Sequence, residues 1–213
     1  SLSLQIDHKK FHLAAQNFYW RDEGAFTGEV SAHQLRGLVK YAIVGHSERR
    51  HVFNERAKDT RAKVQAAVRN QITPILCVGE TAAEKSAGET RSVLADQVMS
   101  GLANLTAEEV ATIVIAYEPV WAISSGKDFA AHAVPTPQLA EKAAKDIRRI
   151  ITQLYGKKTA EAVRVLYGGS TSAANAAGFL SSSEIDGLLV GGASLKVPEF
   201  TEMIEAAHKR KRA

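Results

Sequence analysis

One carboxylate stands out for where it falls. Glu118 ends the apolar run Thr112–Tyr117 and is followed at once by Pro119. A carboxylate at the end of a buried strand is costly to desolvate unless it has a partner or a task. The proline biases Glu118 towards an extended backbone and fixes the exit of the loop. Burial also raises a glutamate's basicity, which suits a general base. The competing role is a structural carboxylate paired with an arginine.

His46 follows a second apolar run, Tyr41–Val44, and precedes Ser47-Glu48-Arg49, which reads as a helix start. The partial positive charge there disfavours an imidazolium and leaves a neutral ring able to donate a hydrogen bond. A lone histidine in this place is more often structural. Glu48 is a supporting candidate, although an ion pair with Arg49 or another neighbour explains it nearly as well. Two glycine-bearing segments, Gly168-Gly169-Ser170 and Gly191-Gly192, follow later apolar runs. Glycines let backbone N–H groups approach an oxyanion, so Ser170, Gly191 and Gly192 form a candidate phosphate cradle. Tight turns alone would explain any one of them. Cys77 and Gly79-Glu80 read as structural, with a buried, inert thiol. The seven histidines show no ligand-like clustering and no dinucleotide fingerprint occurs, so neither a metal nor a redox cofactor is expected.

These residues need elements to hold them. The apolar runs are Phe11–Gln16, Tyr41–Val44, Thr73–Val78, Thr112–Tyr117, Val163–Tyr167 and Gly187–Val190. Their hydrophobicity is nearly continuous, as in strands buried on both faces. Helical patterns lie between them at Ala57–Asn70, Glu89–Leu102, Pro137–Leu154 and Pro198–His208. Thr136 is a good N-cap before Pro137, and Gly156 a plausible left-handed cap after that helix. The alternation predicts an α/β fold with a parallel sheet, as a single domain over residues 1–213. Polar loops follow the carboxyl ends of several strands, where (β/α) barrels place their chemistry. Six strands are counted where a complete barrel has eight.

At 213 residues and 45% hydrophobic, the chain is long enough for a sizeable core. No apolar run reaches the ~18 residues of a membrane span, and no signal-peptide pattern opens the chain, so no membrane partner is expected. One cysteine cannot form an intramolecular disulfide, which fits a reducing, cytoplasmic setting. Much of the net charge of +4 lies in His208-Lys209-Arg210-Lys211-Arg212. No aromatic residues interleave that run for base stacking, so it reads as a solvated helix end and no nucleic-acid partner is expected. A mild positive field would suit an anionic small substrate.

Four sets of motifs, in order and each after an apolar run, carry a resemblance. Ala14-Ala15-Gln16-Asn17 with Gly24-Ala25-Phe26-Thr27-Gly28-Glu29 resembles the third strand and interface loop of triosephosphate isomerases. Val44-Gly45-His46-Ser47-Glu48-Arg49-Arg50 resembles that family's histidine motif after strand four. Ala116-Tyr117-Glu118-Pro119-Val120-Trp121-Ala122-Ile123 is similar to its glutamate signature, and Tyr167–Ser170 with Val190–Leu195 to its two phosphate loops.

The resemblance implies an incomplete TIM barrel of about six βα units, strands three to eight of the family. It also implies a cofactor-independent aldose–ketose isomerase of glycolysis and gluconeogenesis, interconverting dihydroxyacetone phosphate and D-glyceraldehyde 3-phosphate through an enediolate. Glu118 would move the proton and neutral His46 would polarise the oxygens, a pairing established for this family. Ser124, Ser170, Gly191 and Gly192 would hold the phosphate. Trp121–Lys127 would be the lid, although Ser124 replaces a usual glycine and Asp128–Pro135 is longer than the usual exit hinge.

Ser1–Lys10 resembles the tail of the family's second helix, and no residue corresponds to the asparagine-x-lysine element of its first strand. Loss of such an electrostatic contact costs several kcal/mol and is expected to impair turnover. That expectation keeps open a non-catalytic phosphate-binding or assembly protein. Six strands cannot close with the geometry of eight, so exposed edges predict an obligate homodimer or larger oligomer. The interface loop Asn17–Glu29 points the same way, since in the family it inserts into a partner subunit.

Overall fold

A computed structural model of the chain describes residues 2–123 and 134–210. In chain order the elements are β1 (Ala14–Ala15), α1 (Ala32–Leu35), β2 (Tyr41–Val44), α2 (Ser47–His51), α3 (Ala57–Arg69), β3 (Thr73–Val78), α4 (Ala82–Ser86) and α5 (Thr90–Leu102). They continue with α6 (Ala107–Val110), β4 (Val114–Tyr117), α7 (Pro137–Tyr155), α8 (Lys157–Ala162), β5 (Arg164–Tyr167), α9 (Ala173–Leu180), β6 (Gly187–Leu188) and α10 (Val197–Arg210). The strands form one parallel sheet in the order β1-β2-β3-β4-β5-β6. Among the described residues no pairing joins β6 back to β1, so the sheet is an incomplete α/β barrel.

The sheet is buried where helices cover it. Every residue of β4, the central position of the site, is buried. Strands β2 and β3 occupy the residues that their apolar runs predict. Helices α3, α5 and α7 pack one against the next. In α7 the buried side chains Ala140, Ala143, Ala144, Ile147, Ile150 and Ile151 recur at helical spacing. Burying a side chain such as Ile147 or Ile151 contributes roughly 1.5–3 kcal/mol by transfer. Thr136 caps this helix by accepting the Leu139 N–H, and Gly156 ends it at φ +87°, where a side chain would be strained.

The strand ends differ from expectation for local reasons. β1 is only Ala14–Ala15, because an edge strand has one neighbour and Phe11 is 59% exposed beside a turn closed on Asp7 O. Thr112 and Ile113 donate their N–H groups back to Glu109 and Val110 in the turn after α6, so β4 starts at Val114. Val163 caps α8, which delays β5 to Arg164. β6 stops at Leu188, again at an edge. The predicted helix tail at Ser1–Lys10 is instead a single 3-10 turn, Leu2–Leu4, followed by a turn at Asp7. Short α4, α6, α8 and α9 escape a reading based on long periodic stretches. At the other end, His208, Lys209 and Arg210 lie in the last turn of α10, and Arg210 donates to Ser182 O; Lys211 and Arg212 lie outside the described residues.

Candidate active site

The first residue beyond β4 is Glu118, whose N–H donates to Val78 O at 2.7 Å and so continues the β3–β4 ladder. Its side chain is 2% exposed. Two neighbouring glycines make room for it. A Cβ on Gly79 would lie 1.9 Å from Glu118 O, and one on Gly168 would lie 2.8 Å from Glu118 Cγ. Neither position can carry a side chain without moving the glutamate.

β2 supplies the other half. His46 is the N-cap of α2, and its Nδ1 accepts the Glu48 N–H at 3.3 Å. A nitrogen that accepts cannot carry the proton, so the ring is neutral with its hydrogen on Nε2. That Nε2 lies 3.2 Å from Glu118 Oε1. The approach is off the line of a full hydrogen bond, and Oε1 has no hydrogen-bond partner among the described residues. Oε2 is better served: the Ser47 N–H, at the start of α2, donates to it at 3.0 Å. The ends of β2 and β4 thus meet across β3, which requires the sheet to curl.

Burial raises the Glu118 carboxyl above its ordinary value of 4.5. His46, the Ser47 N–H, the Cys77 thiol and Arg50 all pull it down, and burial outweighs them. Cys77 feels the same pair in reverse. Burial and the adjacent glutamate push its thiol well above the usual range, so it stays protonated. Its burial agrees with the structural reading, but its contact with Glu118 is not visible in the sequence. Arg50 braces this edge by donating from Nε to Gly45 O at 2.7 Å and from Nη2 to Cys77 O at 3.0 Å.

Glu80, read from sequence only as structural, has a specific job. Buried to 1% exposure, it accepts from Trp121 Nε1 at 2.8 Å and from Tyr117 OH at 3.1 Å. Lys85 of α4 covers the Trp121 ring, 3.1 Å from its centroid. Together they anchor the start of the segment expected to be the lid. Ser124–Lys127 of that segment, and residues 128–133 of the stretch expected to be its exit, lie outside the described residues.

The remaining expected residues lie along the same edge. Ser170 gives its N–H to Ala122 O at 3.0 Å, which leaves its hydroxyl for a ligand. Gly191 and Gly192 open a 3-10 turn, Gly192–Leu195, and a Cβ at either would meet nothing within 4 Å. They lie beyond β6, two strands from Glu118, with their backbone open to solvent. Glu48 does not pair with Arg49, which turns to Glu55 at 3.2 Å; its carboxylate lies 3.9 Å from His46 Nδ1. Among the described residues no three His, Cys, Asp or Glu side chains converge as a metal site.

Comparison with known proteins places the chain in a family. A family model described as triosephosphate isomerase matches residues 1–207. The chain is 44% identical to the triosephosphate isomerase of Chloroherpeton thalassium over 203 residues, covering 95% of this chain and 78% of that one. It is 44% identical to that of Caldanaerobacter subterraneus subsp. tengcongensis, covering 90% and 75%. With that of Acetivibrio thermocellus the identity is 47%, covering 90% and 74%. Matched over nearly its whole length, the chain belongs to the triosephosphate isomerase family.

Proposed function

We propose that the chain interconverts dihydroxyacetone phosphate and D-glyceraldehyde 3-phosphate, with Glu118 as the base and His46 as the proton donor to the substrate oxygens. The observation that carries this reading is the His46–Glu118 pair: a neutral ring with its hydrogen on Nε2, 3.2 Å from a buried carboxylate of raised basicity. A base of that kind removes a proton from the carbon beside a carbonyl, and the imidazole N–H stabilises the oxygen that gains charge. The carboxylate then returns the proton to the adjacent carbon, while the hydroxyl hydrogen passes from one oxygen to the other at His46. Glu118 Oε2 is held by the Ser47 N–H in this structure, which leaves Oε1, facing His46, as the atom free to take the proton. The relatives' shared name favours an isomerase over a non-catalytic binding protein.

Supporting roles follow the geometry. The open backbone at Gly191 and Gly192, with the Ser170 hydroxyl, would take the phosphate. Ser124 is assigned to the same group by its motif alone. Glu48 would support His46 through its N–H more than through its half-exposed carboxylate. The test is isomerase turnover in Glu118→Ala and His46→Ala. Each should fall by roughly 10²–10⁴-fold, the range for a lost acid or base. Equal activity in the parent and Glu118→Ala would remove the assignment.

The proposal extends to assembly as a homodimer or larger oligomer in a cytoplasmic setting. Among the described residues both sheet edges are unpaired, and Phe11, Leu195 and Val197 are largely exposed. Among the described residues no helix is long and apolar enough to cross a membrane. Light scattering at micromolar concentration should show no stable monomer, and a concentration-independent monomer would refute the assembly.

A further inference from the structure

The opposite ends of the same strands hold a second concavity. Residues just before or at the starts of β2, β3, β4 and β5 line a cavity of about 250 Å³. Lys40 enters it from before β2 and Arg164 from the start of β5, with Tyr41, Thr73 and Thr112 supplying hydroxyls. No carboxylate lines it. The nearest acids in sequence are engaged elsewhere: Glu109 accepts the Thr106 N–H and Glu161 faces Lys157 at 3.6 Å. Among the described residues neither Lys40 nor Arg164 has an ion-pair partner. Two cations therefore share one concave space with nothing to offset them, an arrangement that concentrates anions.

We infer that this cavity binds a small multivalent oxyanion of the diphosphate or polycarboxylate class. Its cations come from opposite sides of the cavity, since β3 and β4 separate β2 from β5. A ligand that satisfies both carries charge at two ends. Arg164 offers a planar fork for two oxygens, Lys40 a point charge, and Thr73 and Tyr41 hydroxyl donors. Thr112 donates its own hydroxyl hydrogen to Glu109 O and is left as an acceptor. The volume corresponds to roughly eight waters at about 30 Å³ each, which suits a small ion and not a polymer strand. This site is separate from the phosphate cradle, which lies at the carboxyl end of the sheet.

Calorimetric titration with inorganic pyrophosphate at low ionic strength tests it, using Gly192→Val alone and with Lys40→Arg or the double substitution Lys40→Ala/Arg164→Ala added. Both altered cations are exposed at strand ends, so the double substitution should leave the circular dichroism unchanged. Expected is pyrophosphate binding that persists in Gly192→Val, where the proposed phosphate cradle is blocked, is retained when Lys40→Arg is added to it, and is weakened at least tenfold when the double substitution is added. Pyrophosphate should also raise the unfolding midpoint of Gly192→Val and not of that triple variant. Citrate in the same titration separates the two ligand classes: whichever binds more tightly names the class. No binding in Gly192→Val, or equal affinity once the double substitution is added, would overturn the inference.

Discussion

Two carboxylates lie on either side of α2, and their neighbours make them opposite kinds of group. Glu55 is 4% exposed and meets two full cations, Lys63 and Arg49, with Asn17 accepting from the same ammonium. Glu118 is 2% exposed and meets no full cation within 4 Å among the described residues, only a neutral imidazole, a backbone N–H and the Cys77 thiol. Both have been taken out of water. At Glu55 opposite charge compensates the desolvation, and the result is an anchor. At Glu118 compensation is incomplete, and the shortfall is felt as basicity. The contrast teaches that burial alone does not make a base; burial among neutral donors does.

The sharpest way to break the contrast is to move the base without removing its charge. Glu118→Asp withdraws the carboxylate by a methylene, and misplacement by about 1 Å costs on the order of 10²-fold in rate. Turnover should drop by about that factor while phosphoglycolate affinity changes little, as steady-state kinetics and calorimetry would show. Comparable losses in both would mean that Glu118 serves binding more than chemistry.

A smaller effect is expected on the anchoring side. Lys63→Met leaves Glu55 with Arg49 alone, and breaking a buried pair costs about 3 kcal/mol. Denaturant melts should record that loss of stability with little change in turnover per folded molecule. A stability equal to the parent's would show that Arg49 suffices.

The smallest effect runs in the stabilising direction. The folded pKa of Glu118 is raised, so its protonated form is favoured by folding; this contribution is present below 4.5 and is lost as pH rises through the folded value. Glu118→Gln keeps an acceptor for the Ser47 N–H and removes the buried charge. It should therefore be more stable than the parent at pH 7, with the gain vanishing near pH 4. Paired thermal melts at the two values check the sign; a gain that persists at pH 4 would have another cause.

Legibility from sequence followed the range of the interactions. β2 and β3 could be placed residue by residue because their apolar runs are continuous and flanked by turns. β1 and β6 could not be bounded, since an edge strand ends where its single neighbour does. His46 and Glu118 were readable because each stands directly after a strand in a local motif. Glu80 was not, for its partners Tyr117 and Trp121 lie far along the chain. Lys63 shows the same limit from the other side: the periodic face of α3 picked out Val64, Ala67 and Val68, while the fold also buries Lys63 because distant Asn17 accepts from it. The shared edge of Cys77 and Glu118 likewise exists only once β3 and β4 pair.

The sheet order carries a consequence for how the chain acquires its activity. Each strand pairs with its immediate successor in the chain, so no strand waits for a partner that is made much later. A nascent chain leaving a ribosome could add one βα unit at a time to a growing edge. Function does not accrue in the same way. His46 and Ser47 precede Glu118, which comes only after β4, and Gly168 and the glycine turn beyond β6 follow later still. The proposed proton-transfer pair therefore comes together before the proposed phosphate cradle does.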